Sequence, residues 1–190
     1  MMDYFKNILL AYQNIPKFLF AFRSEQSHND VNAIQAADGD LEVFLKDLNS
    51  LGTFNNSVVI LMSDHGARFQ AIRESQQGKM EERLPAWMVF LPPWFSKVYP
   101  KAYKNFRTNG DRLVTPFDIY RTFQDIHKLG SLTDDDFSVP NELSSRGMSL
   151  FREIPPSRTC RDADVEPHWC ACLKEEKLRV EDELVQRASK

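Results

Sequence analysis

The residues of this chain that are best placed for chemistry lie in three polar clusters. Asp64 and His65 are adjacent, directly follow an apolar run and precede Gly66. The other two clusters hold His28 and Lys79. In open α/β sheets functional groups collect at the carboxyl ends of strands, and each cluster follows a predicted strand or lies in the loop after it. The three clusters are therefore the candidate functional residues.

The adjacent pair Asp64 and His65 has the chemistry of a metal site. Neighbouring side chains can converge on one ion at a strand-to-loop bend, and a carboxylate and an imidazole are suitable donors for zinc or manganese. Gly66 frees the backbone to turn away and leaves space for a substrate. The alternative is structural, with Asp64 capping a following helix and His65 making an internal hydrogen bond. The three-residue motif alone leaves both interpretations open.

The hydrophobic pattern predicts the elements that position these clusters. Apolar residues at helical spacing predict helices over residues 3 to about 14, 32–51 and 115–130. Short continuous apolar runs predict strands buried on both faces over residues 18–22, 57–62 and 87–91. A charged helix is predicted over 174–190. This order of strands and helices predicts an α/β fold.

Composition and charge fit a folded domain and exclude several classes of function. The chain has 190 residues, of which 42% are hydrophobic, and this is ample for a buried core. The net charge of -3 favours neither nucleic acid nor an anionic membrane as partner. No run of about 18 apolar residues predicts a membrane span. The opening segment has no signal-peptide pattern.

The three cysteines, Cys160, Cys170 and Cys172, all lie near the end of the sequence. An odd number leaves at least one cysteine without an internal disulfide partner. With His168 they could form a zinc knuckle, but the one-residue gaps are tighter than usual zinc spacings. The cysteines therefore favour disulfides, some of them to sequence outside this chain, and an oxidising compartment.

Longer strings around these residues resemble the sulfatase branch of the alkaline-phosphatase superfamily. In that branch a hydrophobic strand ends in Ser-Asp-His-Gly, and a lysine, a Glu-rich segment, Arg-X-Pro and another hydrophobic strand follow. Residues 57–66 and 78–91 contain these features in the same order. Residues 115–122 resemble the family's Asp-Ile-X-Pro-Thr helix start, with Arg121 in place of the proline, and residues 146–150 resemble its Gly-X-Ser-Leu signature.

A narrower resemblance is to an uncharacterised animal branch of sulfatase-like proteins, labelled a domain of unknown function. It rests on the motifs already named and on the late strings Arg-X-Cys and His-Trp-Cys-X-Cys, and it covers roughly residues 15–172. The resemblance implies a partial alkaline-phosphatase-like sandwich, with a mostly parallel sheet flanked by helices and an irregular cysteine-containing tail. It divides the chain into a sulfatase-like portion, 1–155, and a tail with the charged terminal helix, 156–190.

The resemblance also implies roles for the clustered residues. Asp64 and His65 would be metal ligands, and the ion would be a divalent metal such as zinc, manganese or calcium. His28 would bind the metal or the oxyanion of the substrate. Lys79 would contact sulfate or phosphate oxygens, where a cation stabilises charge on the transferring group. The alternatives are a loop histidine for His28 and a solvated surface lysine for Lys79.

The function implied is that of the C-terminal part of a metal-dependent hydrolase of sulfate or phosphate esters. Nothing in the chain matches the superfamily's nucleophile motif or its strand-borne aspartate, which lie in the N-terminal half. We therefore expect the chain to be inactive alone and to have the missing N-terminal half of the same fold as its partner. The parent protein would be extracellular or in the secretory pathway. The alternative is a non-catalytic secreted binding or structural domain that retains the fold.

Overall fold

Helices make up most of the regular structure in a computed structural model, which describes residues 1–25, 27–28, 30–69 and 71–172. The described α-helices are α1 (Met2–Ala11), α2 (Asp38–Ser50), α3 (Gln76–Arg83), α4 (Phe95–Val98), α5 (Pro100–Thr108) and α6 (Pro116–Lys128). The strands are β1 (Val59–Met62) and β2 (Trp87–Phe90), and short 3-10 turns join several of these elements. No helix of the described residues is long and apolar enough to cross a membrane.

The three helices predicted within the described residues form, close to the predicted bounds, as α1, α2 and α6. Helix α6 shows why its start was recognisable. Pro116 occupies the first helical turn, where its missing N–H costs nothing. The backbone N–H and the hydroxyl of Thr115 both donate to Asp118 Oδ2, at 2.6 and 3.1 Å, which caps the helix. The helix predicted over 174–190 lies outside the described residues.

The predicted sandwich with a mostly parallel sheet is wrong. The described part of the chain has one sheet of two strands, and β1 pairs with β2 in the antiparallel direction, with Val59 opposite Phe90 and Met62 opposite Trp87. A continuous apolar run is typical of a strand buried on both faces, but it carries no information about the direction of pairing. Both runs form strands, but they pair in the antiparallel direction and are not buried on both faces, since Met62, Met88 and Phe90 are 46, 52 and 48% exposed.

The strand predicted over residues 18–22 does not form, and its aromatic side chains face solvent. Phe18, Phe20 and Phe22 are 76, 67 and 60% exposed. Phe18 makes one aromatic contact, with the ring of Phe123 on α6 at 6.2 Å between centroids. An apolar run becomes a buried strand only where a neighbouring strand and a covering layer exist, and the described residues provide neither.

The hydrophobic core lies in the second half of the chain. One cluster consists of Phe95, Ala102, Phe137 and Phe151, and a second consists of Met148, Leu150 and Ile154. Phe151 is central to the first cluster, because its ring lies 5.0 Å from that of Phe95 and 5.9 Å from that of Phe137. Helices α4 and α5 therefore pack on the irregular segment that follows α6.

A buried ion pair fixes the cysteine-containing tail to this core. Asp118 and Arg158 are 0% and 1% exposed in their side chains, and two hydrogen bonds of 2.8 and 3.1 Å join them. Asp118 Oδ1 also accepts from the backbone N–H of Met148 at 2.7 Å. Arg158 donates in turn to the carbonyl oxygens of Leu113 and Arg146. Three strings that carry the family resemblance therefore meet at one structural contact.

The tail itself contains a disulfide. Cys160 and Cys170 are bonded, which confirms the prediction of a disulfide, and Cys172 is an exposed free thiol. The three sulfur atoms lie within 4.8 Å of one another. The segment is otherwise irregular, with a single 3-10 turn at Pro167–Trp169 in its described part.

Candidate functional site

The end of β1 determines where Asp64 and His65 leave the sheet. Ser63 continues the pairing for one residue, because its N–H donates to the carbonyl of Ala86 at 3.0 Å and its hydroxyl oxygen accepts from Ala86 N–H at 2.9 Å. Asp64 is the first residue beyond these two hydrogen bonds and is exposed, whereas His65 is partly buried. The pair therefore lies at the carboxyl end of a strand, as the sequence analysis expected.

The structure brings the side chains of Asp64 and His65 together. Asp64 Oδ2 lies 3.4 Å from His65 Nε2, and Asp64 Oδ1 accepts from the backbone N–H of His65 at 3.1 Å. Two ligands bound tetrahedrally to one zinc ion, each at about 2.0–2.1 Å, are separated by about 3.3–3.4 Å. The spacing of these two donor atoms therefore fits a shared divalent ion.

The hydrogen bonds of His65 define which ring nitrogen is available to a ligand. Nδ1 lies 2.7 Å from the carbonyl oxygen of Gly66, which can only accept, so Nδ1 carries the proton and donates it. The lone pair is then on Nε2, the atom that faces Asp64. Metal-binding histidines in proteins are held in the same way, by donation from the second ring nitrogen to a carbonyl or a carboxylate.

A cation already contacts the Nε2 lone pair. The guanidinium Nη2 of Arg68 is hydrogen-bonded to His65 Nε2. Arg68 is three residues beyond His65 and is exposed. Nothing in the sequence motif pointed to Arg68, although its position in the same short loop was visible.

Gly66 packs the Asp64–His65 loop against α3. Its N–H donates to the carbonyl of Glu82 at 3.2 Å. A Cβ at this position would lie 2.1 Å from the carbonyl oxygen of Glu81, which is closer than any side chain tolerates. Only glycine therefore permits this approach between the loop and the helix.

Lys79 lies on that same helix, whereas the sequence analysis placed it in a loop. Ser75 caps α3 by accepting from Gly78 N–H at 3.0 Å, and Gly78 is buried against the carbonyl of Ile72. The Lys79 side chain is exposed and forms no hydrogen bond or ion pair with another described side chain. The structure thus joins Lys79 to the Asp64–His65 loop through α3.

His28 approaches the same loop from a different part of the chain. Its ring lies 5.3 Å from that of Phe69, four residues beyond His65. It does not follow a strand, because residues 18–22 form none. The contact with Phe69 nevertheless brings His28 to the loop that carries Asp64 and His65.

Glu82 has a structural partner that the sequence motif did not reveal. It is 7% exposed, and its Oε2 lies 3.7 Å from the Nε of Arg73, while its Oε1 has no hydrogen-bond partner in the described structure. An acidic side chain so deeply buried is costly unless it is paired. Arg73 precedes α3 and is the cation that partly compensates it.

The number of possible metal ligands near Asp64 and His65 is small. Within the described ranges, the only group of three or more His, Cys, Asp or Glu donors close enough to share an ion is that of the three cysteines. Two of those cysteines are bonded to each other. Asp64 and His65 therefore fit two positions of a metal site, and further ligands must be water or groups outside this set.

An open apolar groove of about 1150 Å³ lies apart from these polar residues. Its walls come from the end of α1 and the residues that follow it, from β1 and the segment before it, from the start of α4 and from the end of α6. They include Leu9, Phe18, Ile60, Phe123 and Ile126. None of the four predicted functional residues lines it. The groove is lined mainly by apolar side chains, with polar ones that include Lys17 and His127.

Comparison with known proteins gives one match. The model of a family described as a protein of unknown function, DUF229, matches residues 1–190. No curated protein and no solved structure matches the chain. The family match includes all four predicted functional residues and the cysteine-containing tail.

Proposed function

Since the chain belongs to the DUF229 family over its whole length, we propose that it is part of a metal-dependent hydrolase of sulfate or phosphate esters. The sequence analysis predicted an uncharacterised sulfatase-like family labelled as a domain of unknown function, and this coarse prediction is confirmed. Membership of the alkaline-phosphatase superfamily, and placement in the C-terminal part of its fold, belong to the proposal.

The observation that carries the proposal is the geometry of Asp64 and His65. Their donor atoms are 3.4 Å apart, and the Nδ1 proton of His65 is held by the Gly66 carbonyl so that the Nε2 lone pair faces the carboxylate. In the proposal these atoms hold a divalent ion: zinc, manganese or calcium. Such an ion, when bound, supplies charge that polarises the ester oxygen and activates a nucleophile.

Arg68 has a defined role in this proposal. Its guanidinium is hydrogen-bonded to His65 Nε2, the atom that would bind the ion. The side chain is exposed, so it can rotate away without breaking any packed contact. In this proposal Arg68 competes with the ion for His65 Nε2.

Lys79 and His28 are the proposed contacts to the substrate. An exposed ammonium on α3 is free to bind the oxygens of a sulfate or phosphate group, and its charge stabilises the charge that develops during transfer. The His28 ring, packed on Phe69, lies beside the same loop and can donate to an oxyanion. In this proposal Lys79 on α3 and His28 would thus contact a substrate held at the end of β1.

The nucleophile and the remaining ligands come, in this proposal, from the N-terminal half of the complete fold. The exposed aromatic side chains of residues 18–22 support this, because a folded protein rarely leaves three neighbouring phenylalanines in water. The apolar groove beside Phe18 offers further surface for the same partner. The Cys160–Cys170 disulfide supports a location outside the cell or in the secretory pathway.

A specific observation favours a second candidate, a non-catalytic binding or structural domain. Asp64 and His65 have no third donor of the usual types among the described residues, and an arginine occupies the lone pair that an ion would need. A relative that had lost catalysis would retain such a partial site. The two candidates differ in whether the complete protein turns over an ester.

Calorimetric titration with zinc, manganese and calcium tests the metal site. The protein should keep its disulfide and carry Cys172→Ser, so that no free thiol binds zinc. We expect weak binding, well short of the roughly 10 kcal/mol or more of structural zinc sites, that disappears in His65→Ala and persists in the control His127→Ala. Equal binding by wild type and His65→Ala would remove the site from this loop.

Activity assays with aryl sulfate and aryl phosphate decide between the two candidates. The chain alone should show no turnover with any of the three metals, whereas the complete protein should hydrolyse one of the esters and lose this activity in Asp64→Asn. A complete, metal-loaded protein that binds the ion but hydrolyses neither ester would favour the non-catalytic candidate. Turnover by the 190-residue chain itself would show that its nucleophile lies among these residues.

A further inference from the structure

The sequence contains a modification motif that the proposed hydrolase function does not use. Residues 55–57 are Asn55, Asn56 and Ser57, and this is the only Asn-X-Ser/Thr string in the 190 residues, where X is any residue except proline. Such a string is the acceptor for N-linked glycosylation when it lies on the surface of a secreted protein. We propose that Asn55 carries an N-linked glycan.

The fold presents Asn55 at the surface, in a turn. Asn55 ends the 3-10 turn Thr53–Asn55 that joins α2 to β1, and its side chain is exposed. The turn follows Gly52, whose φ of 70° lies in the left-handed region that glycine favours. Turns between elements are where an attached sugar disturbs neither a helix nor a sheet ladder.

The Asn55 side-chain amide lies against Gly52 and is not held by a hydrogen bond to a described residue. A Cβ at Gly52 would lie 3.2 Å from Asn55 Nδ2, so the amide rests over a residue that has no side chain. The Asn55 side chain makes no hydrogen bond with any described residue, whereas the neighbouring Asn56 accepts one from Trp94 Nε1 at 3.2 Å. Asn55, the glycosylation acceptor of the motif, is therefore the asparagine of the pair whose side chain forms no hydrogen bond with a described residue.

Asn55 is not among the residues that line the apolar groove. Gly52, Thr53, Asn56, Ser57 and Val58 all line the groove, but Asn55 does not. Glycosylation of Asn55 and the binding of further protein in the groove can each be tested without the other.

The chemistry requires one co-reactant, a lipid-linked pyrophosphoryl oligosaccharide. A bond forms between Asn55 Nδ2 and C1 of the first sugar, and the bond between C1 and the phosphate oxygen breaks. Nδ2 loses one proton, and the lipid pyrophosphate leaves with the electron pair of the broken bond. The reaction occurs in the lumen of the endoplasmic reticulum, where disulfides also form. The Cys160–Cys170 disulfide is an independent indication that the chain passes through this compartment.

Expression in cultured animal cells tests the proposal. The 190-residue chain is directed into the secretory pathway by a cleavable leader, and both secreted and retained protein are analysed, because the glycan is added before folding is complete. Digestion with an amidase that cleaves the glycan–asparagine bond should remove one glycan-sized step of mobility. In water enriched in ¹⁸O, the same digestion should convert Asn55 to an ¹⁸O-labelled aspartate in the peptide containing residues 55–57.

Matched variants separate the motif from its surroundings. Asn55→Gln and Ser57→Ala should each abolish the glycan, whereas Ser57→Thr and Asn56→Gln should retain it. An unmodified Asn55 in protein whose leader has been removed and whose Cys160–Cys170 disulfide has formed would overturn the proposal. These measurements need no ester substrate and no metal, so their outcome is independent of the hydrolase activity proposed above.

Discussion

The two regions of this molecule, residues 1–94 and residues 95–172, differ sharply in how they bury their side chains. Every large side chain that is almost completely buried, from Phe95 to Ile154, lies in the C-terminal region. Leu48 and Glu82 are the main buried side chains described in the N-terminal region. Most of the exposed large apolar residues also lie there, including Phe18, Phe20 and Phe22.

The candidate functional residues and the hydrophobic core therefore lie in different regions of the chain. His28, Asp64, His65 and Lys79 all belong to the weakly packed N-terminal region. The C-terminal region provides the aromatic core and the Asp118–Arg158 pair, neither of which contacts these residues directly. The candidate functional residues therefore lie in the region that has fewer buried side chains, and the C-terminal region contains most of the core.

The comparison predicts effects of very different size when a phenylalanine side chain is removed from each region. Phe151→Ala should lower the free energy of unfolding by about 3–5 kcal/mol, because a ring that is 1% exposed leaves a cavity among other aromatic rings. Phe20→Ala should change it by less than about 0.5 kcal/mol, because that ring is 67% exposed. Urea unfolding measures both. Similar losses in the two variants would mean that residues 18–22 are packed after all.

Replacement of the buried Arg158 is expected to lower the free energy of unfolding by a similar amount. Arg158→Ala leaves the fully buried Asp118 carboxylate without its cation, a change that typically costs about 3–5 kcal/mol. The control Arg161→Ala, three residues further on and exposed, should stay within about 0.5 kcal/mol. A small effect of Arg158→Ala would show that the tail is not fixed to the core by this pair.

Part of the fold could be predicted from the sequence because the signals are local. Helix α6 was recognisable from apolar periodicity together with Thr115 and Pro116, and both strand-forming runs around Asp64 were found. Strand direction and the exposure of residues 18–22 could not be predicted, because both depend on what lies beside a run in space. The same holds for Asp118 and Arg158, which are 40 residues apart.

Part of the candidate site could also be predicted, because some of its contacts join residues that are neighbours in sequence. Asp64 and His65 are neighbours in sequence, so their convergence at the end of a strand follows from local geometry. The contact of Arg68 with His65 depends on the turn that the loop makes after Gly66. The resemblance to a family supplied Lys79 and His28, and the structure relates them to the loop through α3 and through Phe69.

Two glycine substitutions test whether the N-terminal region has any tightly packed point. Gly66→Ala would place a methyl group 2.1 Å from the Glu81 carbonyl oxygen, so the loop or α3 must move, at a cost of about 1–3 kcal/mol. Gly39→Ala, in α2 with open space around it, should stabilise by about 0.5–1 kcal/mol. The thermal unfolding midpoint should therefore fall in Gly66→Ala and rise in Gly39→Ala. Equal behaviour would mean that Gly66 does not approach α3 closely.

A smaller effect is expected from the arginine that contacts His65. If Arg68 competes with the proposed ion, Arg68→Ala should tighten binding of zinc at the Asp64–His65 pair by roughly fivefold, equivalent to about 1 kcal/mol for the hydrogen bond removed. Arg73→Ala is the matched control, because Arg73 pairs with Glu82 instead. Titration of both variants in the Cys172→Ser background measures the difference. Weaker binding in Arg68→Ala would mean that the arginine supports the site.

The smallest expected effect is a dependence of stability on pH that belongs to the C-terminal region. The backbone N–H of Thr159 and its hydroxyl both donate to Asp162 Oδ2, at 2.8 and 2.7 Å, and these bonds lower the pKa of the Asp162 carboxyl below its usual 3.8. Because the folded-state pKa is depressed, the ionised carboxylate stabilises the fold above the unfolded pKa, and this contribution is lost as the pH falls through the folded pKa. Asp162→Asn should therefore be less stable than wild type near neutral pH, and the difference should shrink below about pH 4. Urea midpoints of both proteins, measured from neutral to acidic pH, test this.

Since Asp162 lies two residues from Cys160, the same titration reports on the tail that Arg158 fixes to the core. A difference between the two proteins that stays constant down to the lowest pH would show that the Thr159 bonds do not depend on the charge of the carboxylate.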